Sequence, residues 1–500
     1  MKNIQLYKLA GLGKILLLFL IVYSCTQDPT LWKVTSQEQV ISDFVASNPD
    51  KYSEFNKLLE AANLTDLLKI RGPYTLFLPD NEAMNAYYKE KKISSFTDLT
   101  LQQQKELAYN HLIVNSEVHS GDIGLGAIKD TNAIGDFLAT EFSGSDIIIN
   151  KQSKITNRDI ICANGYVHQI NHVIEPVKAN IYDLIASNPS YSLFVKGLQL
   201  TKLSDTLQTV SFLFGKKNAR TRFTVLAVPD TIFNRYGIFT IDDLVSHFTN
   251  RPDSVTYLQN GFYRYMEYHC MANTYFLSGL VLGTKLYPIL SFDNNVSITV
   301  DTDYKINLDK TTKKYTGFII ESSNIPAKNG ALHTVNDLLP VTEPDPVTFV
   351  FDTTDYFDLK QGDYYGKYYM KWSYNAKAGE KSPFAKIEWQ GDYLQYYYKN
   401  HDAPVEVNSD ALQMFGFFWI EITTPKIMKG SYKLSGYLWG KPSFEVYVDG
   451  VKSAFVKVSD PDTAPWGDFT WTKTQEHKIK IVAMTWGTMF WDTVIFTPIN

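Results

Sequence analysis

The sequence predicts an α+β protein in which two tandem mixed domains precede an all-β, jelly-roll-like sandwich. The first observation is an internal repeat, and the second is that helical and strand-like apolar spacings are mixed within each copy. The third is an aromatic-rich final third with alternating apolar residues, which is typical of strands. At 500 residues, the chain is long enough for several domains of about 150 residues each. The predicted segments are a leader at 1–24, a tether at 25–35, repeats at 36–177 and 178–341, a linker at 342–346 and the sandwich at 347–500.

The composition excludes several classes of protein. It is 44% hydrophobic and 20% charged, which is typical of globular proteins. The net charge is −5, from 48 basic and 53 acidic side chains, so no overall basic field exists to neutralise phosphates and nucleic acid is not an expected partner. Three cysteines exclude a disulfide scaffold and a cysteine-rich zinc protein. We expect no cofactor.

The N-terminus has the pattern of an export signal. Lysines precede an apolar run at 15–23, which at about 1.5 Å per residue is too short for a bilayer core of about 30 Å. The run ends in Val-Tyr-Ser-Cys at 22–25 and resembles the lipobox of bacterial lipoproteins. That resemblance implies a lipid on Cys25 and a location at the outer membrane or cell surface, because several acyl chains hold a soluble body on a membrane. An ordinary secretory signal with an incidental cysteine is the alternative.

The internal repeat consists of four segments that return in the same order. Ala-Ser-Asn-Pro at 46–49 returns at 186–189, and an apolar run ending in Pro-Asp at 79–80 returns at 229–230. His111 has a counterpart in His269, and Asn-Gly-x-x-His at 164–168 returns at 329–333. The offset grows from 140 to 165 residues, so the second copy carries insertions. Copies of this length favour tandem domains over solenoid units.

Each repeated segment has a physical interpretation. The apolar runs that end at Pro79 and Pro229 predict short buried strands, and Asp80 and Asp230 are expected to cap the helices that follow. The Asn-Gly pair accepts a positive φ and predicts a hairpin turn between two strands.

These segments resemble the fasciclin-like domain family, with insertions in the second copy around 214–221 and 276–291. The resemblance covers 36–177 and 178–341. It implies a compact, wedge-like β-sandwich with helices that acts in adhesion or extracellular binding, in a family not known for shared catalysis. The matching landmarks, which we interpret as structural, are Pro79, His111, Asn164, Gly165 and His168, and in the second copy Pro229, His269, Asn329, Gly330 and His333.

The final third differs from the repeats. After the stiff linker Glu-Pro-Asp-Pro at 343–346, residues 345–500 hold 8 Trp, 13 Tyr and 12 Phe but no Arg. Alternating apolar runs separated by turn residues predict a β-sandwich. The order of motifs in 430–498 is similar to the jelly rolls of carbohydrate-binding modules and galactose-binding-like domains, which implies a sugar-binding surface.

Flat aromatic rings suit sugars because the C–H face of a pyranose stacks on them, while nearby polar groups bind hydroxyls. We expect Trp466 to be exposed, since 461–467 reads as a loop. Three consecutive tyrosines at 396–398 put rings on both faces of a strand. For any single tryptophan, however, packing in the core is the favoured interpretation, because aromatic residues at a period of two are ordinary in strands. The candidate glycan-binding residues are Trp439, Trp466, Trp471, Trp486 and Tyr397.

No group of residues predicts a reactive centre. His168 and His172 lie near Cys162, but a zinc site needs further ligands that the sequence does not supply, so we expect structural histidines and no metal. Cys162 and Cys270 occupy non-equivalent positions and are expected to be free, buried thiols. Hydrolase, metalloprotease and phosphate-loop motifs are absent from the sequence.

A basic segment in the second copy has two interpretations. Lys216, Lys217, Arg220 and Arg222 could hold an anionic polymer, although a solvated loop is the favoured interpretation.

Together these resemblances imply a non-catalytic, lipid-anchored envelope protein that mediates adhesion or extracellular ligand binding and is similar to the surface lipoproteins of Bacteroidetes-like bacteria. The alternative is a glycan-capture accessory of a polysaccharide-utilisation system that binds through the aromatic-rich domain. An unrecognised hydrolase is the third and least favoured class. The expected partners are the membrane, through the lipid, and a glycan or other surface proteins.

Overall fold

The computed structural model describes residues 38–214, 217–308, 312–356, 359, 370–372, 382, 384–398, 407, 410–457 and 462–499. The predicted leader, the tether and Cys25 lie outside these ranges. The chain divides into two compact units, one of Met1–Ser120 with Ile155–Val173 and the other of Gly121–Lys154 with Ile174–Asn500. The domain boundaries predicted from the sequence remain predictions.

The first repeat contains four helices and seven strands within the described residues. Its helices are α1 (Ile41–Ala46), α2 (Pro49–Ala61), α3 (Asn81–Lys91) and α4 (Leu101–Asn110). Its strands are β1 (Tyr74–Pro79), β2 (Leu112–Val114), β3 (Gly126–Ala127), β4 (Ala139–Ser143), β5 (Asp146–Ile149), β6 (Ser153–Cys162) and β7 (Gly165–Ile170). In the first unit the strand order is β2-β1-β7-β6, and β5-β4-β3 belong to the second unit. The hairpin predicted at Asn-Gly joins β6 to β7, with Cys162 opposite Gly165.

Local sequence signals account for the helix starts. Pro49 is the first residue of α2, where its missing N–H costs nothing. The Asp80 carboxylate accepts a hydrogen bond from the Ala83 N–H at 2.8 Å and caps α3, as predicted. Thr100 and Gln103 form a reciprocal capping box at α4.

The second repeat repeats this plan with more elements. Its helices are α5 (Ile181–Ala186), α6 (Ser192–Leu200), α7 (Leu203–Gln208), α8 (Asp230–Arg235), α9 (Ile241–Phe248) and α10 (Gly261–Tyr268). Its strands are β8 (Ser211–Phe214), β9 (Lys217–Arg220), β10 (Phe223–Ala227), β11 (Cys270–Met271), β12 (Gly283–Pro288), β13 (Asn295–Val300), β14 (Tyr304–Leu308), β15 (Tyr315–Ile319), β16 (Ile325–Ala327) and β17 (Gly330–Val335). The sheet order is β11-β10-β17-β15-β14-β13-β12, with β16 on β17 and a separate β8-β9 hairpin.

The two repeats share one strand register. In the first, β1 pairs parallel to β7 with Tyr74 opposite Gly165, and in the second β10 pairs parallel to β17 with Phe223 opposite Gly330. The prediction that Asp230 caps the helix that follows it is wrong. Pro229 is the N-cap of α8, and the Asp230 carboxylate instead accepts from the Leu193 N–H at 3.0 Å, in the first turn of α6.

The expectation that the basic segment is solvated is wrong for its two arginines. Arg220 donates to the Ile134 carbonyl at 3.0 Å and pairs with the buried Asp136. The Arg222 guanidinium lies 5.0 Å from the Phe137 ring centroid, and burial together with Arg220 lowers its pKa to about 10. Both arginines therefore serve packing inside the second unit. The side chains of Lys216 and Lys217 lie outside the described part of the chain.

The C-terminal region is a sandwich of two antiparallel sheets. One has the order β19-β21-β22-β29-β24-β27 with β18 on β29, and the other β20-β23-β28-β25-β26. Side chains from both sheets form one core, in which Trp389, Trp466 and Trp491 are fully buried. The predicted α+β class with a sandwich at the end is confirmed. The strands are β18 (Phe349–Asp352), β19 (Met370–Trp372), β20 (Ile387–Gln390), β21 (Leu394–Tyr398), β22 (Asp410–Gly416), β23 (Trp419–Thr423), β24 (Gly430–Gly440), β25 (Ser443–Val448), β26 (Val451–Lys457), β27 (Asp462–Trp471), β28 (Lys478–Ala483) and β29 (Gly487–Pro498).

A lysine joins the sandwich to the second repeat within the second unit. The Lys426 ammonium donates to the carbonyls of Ile289 at 3.2 Å and Asn294 at 3.1 Å, and also to that of Ser291. Burial lowers its pKa. Its three N–H donors are thus met by backbone oxygens of the other domain. Among the helices in the described residues, none is long and apolar enough to cross a bilayer.

Candidate ligand-binding site

The polar landmarks that occur in both repeats form hydrogen bonds inside each domain. The Asn164 amide oxygen accepts from the Ile41 N–H at 2.9 Å, and its NH₂ donates to the carbonyls of Leu68 at 2.7 Å and Ile70 at 2.8 Å. One buried side chain therefore ties the first helix and the preceding loop to the hairpin turn. Asn329 makes the same three bonds with the backbone of Ile181, Leu207 and Thr209.

The hairpin histidines hold backbone groups as neutral imidazoles. His168 Nε2 donates to the Val118 carbonyl at 2.8 Å, and its Nδ1 accepts from the Asp159 N–H at 3.2 Å. His333 repeats the pair with the Tyr275 carbonyl at 2.8 Å and the Asn324 N–H at 3.4 Å. A ring that donates from one nitrogen and accepts at the other carries no extra proton.

The mid-domain histidines end their helices. His111 Nδ1 donates to the Leu107 carbonyl and His269 Nδ1 to the Tyr265 carbonyl, both at 2.8 Å. Both rings are fully buried. Their contacts are those of structural side chains rather than of a reactive centre.

We expect the free energy of unfolding to fall between pH 7 and pH 5. Burial lowers the pKa of His111, His269 and His333 to about 4, whereas the unfolded chain titrates near 6.5. Their stabilising effect is therefore complete above pH 6.5 and is lost as the unfolded state binds protons at lower pH, by up to about 1.4 kcal/mol per histidine per pH unit. Urea unfolding at pH 7.5 and 5.0 measures the loss.

A matched pair of variants isolates the cause. His269→Gln should weaken the pH dependence, while His247→Gln, at an exposed position on α9, should leave it unchanged. Equal stability of the parent chain at both pH values would contradict the assignment of neutral buried rings.

His168 and His172, which the sequence places near Cys162, have different partners in the structure. His172 lies 3.6 Å from the Glu90 carboxylate, while His168 is committed to its backbone partners. In the described ranges no three metal-ligating side chains come together. Cys162 and Cys270 are free and buried, as predicted, and burial raises the pKa of the Cys162 thiol to about 12.

The expectation that Trp466 is exposed is wrong. Its side chain is 1% exposed, because 462–471 is a strand rather than a loop. The pairing of β24 with β27 shifts between Leu434 and Ser435, so that Trp466 is the extra residue of a bulge. The bulge lets its ring lie over Gly436, where an added Cβ would be 2.0 Å from the indole. Trp466 cannot present a surface to a ligand.

Two other candidates meet on the outer face of the larger sheet. The Trp439 and Phe490 rings stack with centroids 5.0 Å apart at 7°, and Tyr397 meets Phe490 edge-on at 5.0 Å. We call Tyr397, Phe490 and Trp439 the aromatic row. Since Leu412 and Trp491 point into the core, their neighbours on the strands face outward. All three members of the row are half-buried.

A second aromatic group lies at one end of the sandwich. Trp486 is 60% exposed and Phe417 is 65% exposed. Their turns are adjacent because Gly416 pairs with Gly487. The centroid of the Phe415 ring lies 4.8 Å from that of Trp486 and 5.9 Å from that of Tyr393. We call Tyr393, Phe415, Phe417 and Trp486 the tip.

The remaining candidate, Trp471, lies apart from both groups. It is half-buried and stacks on the His477 ring at 3.8 Å. His477 in turn contacts the Asp449 carboxylate at 2.7 Å. This cluster closes the edge of the core and offers little free ring surface.

The tip has the features of a binding surface. Large apolar side chains exposed next to one another are uncommon on monomeric proteins and mark sites of interaction. Sequence reasoning included Trp486 but missed Phe415, Phe417, Tyr393 and Phe490. The signal that could have found Phe415 and Phe490 is the alternation at 412–416 in β22 and at 487–491 in β29, which assigns these two rings to the outer face.

Comparison with known proteins identifies one domain. Residues 50–176 match the family model of the fasciclin domain. Transforming growth factor-beta-induced protein ig-h3 from Sus scrofa is 32% identical over 138 residues, which are 26% of this chain and 19% of that protein. Stabilin-2 from Mus musculus is 27% identical over 135 residues, 27% of this chain but 5% of that protein. This chain therefore carries a fasciclin domain and spans only a small part of these relatives.

A solved structure covers more of the chain. It is described as a FAS1 domain pair from the insect cell adhesion molecule Fasciclin I and matches 58% of this chain and 96% of its own. The sequence identity is 17% and the TM-score is 0.25.

Proposed function

We propose that this protein is a non-catalytic extracellular binding protein that acts in adhesion or ligand capture. The fasciclin domain at 50–176 supports a binding role, because membership of that family implies adhesion or extracellular binding. The internal hydrogen bonds of Asn164, His168 and their counterparts support a structural role for the repeats' polar landmarks. The repeats then act as the adhesive or spacing body of the molecule.

The C-terminal sandwich is the proposed ligand-binding end, and its ligand is a glycan. The observation that carries this proposal is the exposure of Trp486 and Phe417 on adjacent turns at the tip. Exposed rings gain apolar contact when a pyranose face covers them. Trp439 and Tyr397 of the aromatic row offer further contact on the adjoining sheet face.

A glycan array with the full chain tests this proposal. We expect binding to at least one plant, host or microbial polysaccharide and a loss of about tenfold or more in Trp486→Ala, as for an aromatic anchor worth above about 1.4 kcal/mol. Phe455→Ala is the matched control, because Phe455 is 61% exposed on β26 of the other sheet and should bind as the parent does.

The outcomes separate the two roles. Failure of the parent chain to bind any polysaccharide would contradict glycan capture. Cell attachment that survives in Trp486→Ala would then favour adhesion through the fasciclin-like repeats.

We further propose that the chain is anchored at the cell surface by a lipid on Cys25. The support is the lipobox-like Val-Tyr-Ser-Cys at 22–25 after a short apolar run, which together give a membrane tether without a spanning helix. Mass spectrometry of the mature N-terminal peptide from the membrane fraction is the test. An unmodified Cys25, or a chain recovered only as a soluble protein, would overturn the anchor.

A further inference from the structure

Two polar groups lie close together at the tip, on either side of Gly416. Gly416 ends β22 with φ at +90°, and a Cβ built there would lie 3.4 Å from Asp392 Oδ2 and 3.9 Å from Trp486 Nε1. Glycine suits this position because it adopts the positive φ without strain. Because Gly416 has no side chain, the Asp392 carboxylate and the Trp486 indole N–H both lie close to its buried backbone, and therefore close to each other.

Both polar groups are available to a ligand. Within the described residues, Asp392 makes no ion pair or hydrogen bond to protein, and the Trp486 indole N–H likewise has no acceptor. Several carboxylates on this sandwich are held in ion pairs, for example Glu445 with Lys452 and Glu421 with Lys478. Asp392 is instead exposed and lies near the exposed Trp486 side chain.

We propose that Asp392, Gly416 and Trp486 form a subsite for one neutral sugar unit with free vicinal hydroxyls; this rests on the proposed glycan binding. A carboxylate accepts two hydroxyl protons at once, and hydrogen bonds to an ionised acceptor are the stronger kind. The indole N–H donates to a ring or hydroxyl oxygen. The exposed Trp486 ring covers the apolar face of the sugar.

The charge of the site sets its specificity. An ionised carboxylate repels a second carboxylate or sulfate at close range, and more strongly beside apolar rings that exclude water. Uronic acids and sulfated sugars should therefore bind more weakly than the matching neutral hexose. The unit that enters this subsite is a neutral one even where the polymer carries charges elsewhere.

The test uses the full chain and defined probes. Methyl β-D-glucopyranoside, methyl β-D-galactopyranoside, methyl α-D-mannopyranoside and methyl β-D-glucuronide are titrated by ligand-observed NMR. We expect at least one neutral glycoside to bind and the glucuronide to bind at least tenfold more weakly. Asp392→Asn should weaken the neutral glycoside about tenfold or more and reduce the discrimination against glucuronide.

Controls keep folding and binding apart. Asp468→Asn removes an exposed carboxylate on β27 and should change neither affinity nor selectivity. An unchanged thermal midpoint in Asp392→Asn would show that the loss is one of binding, as expected for an exposed side chain.

Three results would overturn the inference. If Trp486→Ala loses polysaccharide binding while Asp392→Asn keeps both affinity and selectivity, glycan capture stands but this subsite is wrong. If no glycoside or polysaccharide binds the parent, both proposals fail. If the parent binds phosphatidylcholine vesicles through Trp486 and no sugar, the tip contacts lipid instead.

Discussion

Replacing Gly165 by alanine is expected to unfold the first repeat. Gly165 has φ at +146°, and a Cβ there would lie 1.9 Å from the Tyr74 carbonyl oxygen, far inside the 3.0 Å limit for real contacts. The two atoms belong to strands that pair in parallel, so β1 and β7 would have to separate. We expect a loss of more than about 4 kcal/mol in the free energy of unfolding, measured by urea denaturation.

Two other glycines serve as controls, because one has only the positive φ and the other has only the steric contact. Gly144 has φ at +61° with nothing within 4 Å, so Gly144→Ala should cost only about 1–2 kcal/mol. Gly330 is the counterpart in the second repeat, where a Cβ would meet the Phe223 carbonyl oxygen at 2.3 Å without the positive φ. Gly330→Ala should therefore destabilise the second repeat. A Gly165→Ala chain as stable as Gly144→Ala would contradict the proposed contact.

Trp466→Ala is the second large expected effect, a loss of about 3–5 kcal/mol in the stability of the sandwich. The ring is buried between the two sheets. Its centroid lies 6.0 Å from that of the Trp491 ring, and the two ring planes meet at 73°. Its removal leaves a cavity, and the neighbouring strands cannot move to fill it because they are paired within their sheet. Thermal unfolding followed by near-ultraviolet circular dichroism reports on this aromatic core.

The control for this prediction lies on the same sandwich. Trp486→Ala should change stability by no more than about 0.5 kcal/mol, because the ring is mostly in water. Gly436→Ala, whose Cβ would meet the Trp466 ring at 2.0 Å, should be far better tolerated once Trp466 is alanine, so the two changes should be strongly coupled. Equal losses for Trp466→Ala and Trp486→Ala would contradict the burial of Trp466.

Much of each repeat was predictable because its signals are local. The turn at Asn164 and Gly165, the cap at Asp80 and the strand before Pro79 each depend on residues within a few positions. Asp230 marks the limit of such reasoning. It has the same Pro-Asp sequence as Asp80 but accepts from the Leu193 N–H in the first turn of α6, and no local pattern distinguishes the two uses.

The candidate site was predictable only in part. The sequence indicated that aromatic residues concentrate in the sandwich, yet Trp466 was expected outside and lies inside. Proline and glycine beside it read as a loop, whereas the structure uses them in a bulge. Both arrangements have the same local composition, and the choice depends on the space over Gly436 on another strand.

By itself, therefore, the sequence determined the duplication, the helix and turn signals and the aromatic-rich end, since these depend on neighbouring residues and on spacing along one strand. Tertiary structure decided which rings face water and that Asp392 and Trp486 lie close together beside Gly416. It also decided that Arg220 and Arg222 contact residues 134–137 rather than solvent. The physical reason is that burial and convergence are properties of segments far apart in sequence, and their approach is set by packing rather than by local propensity.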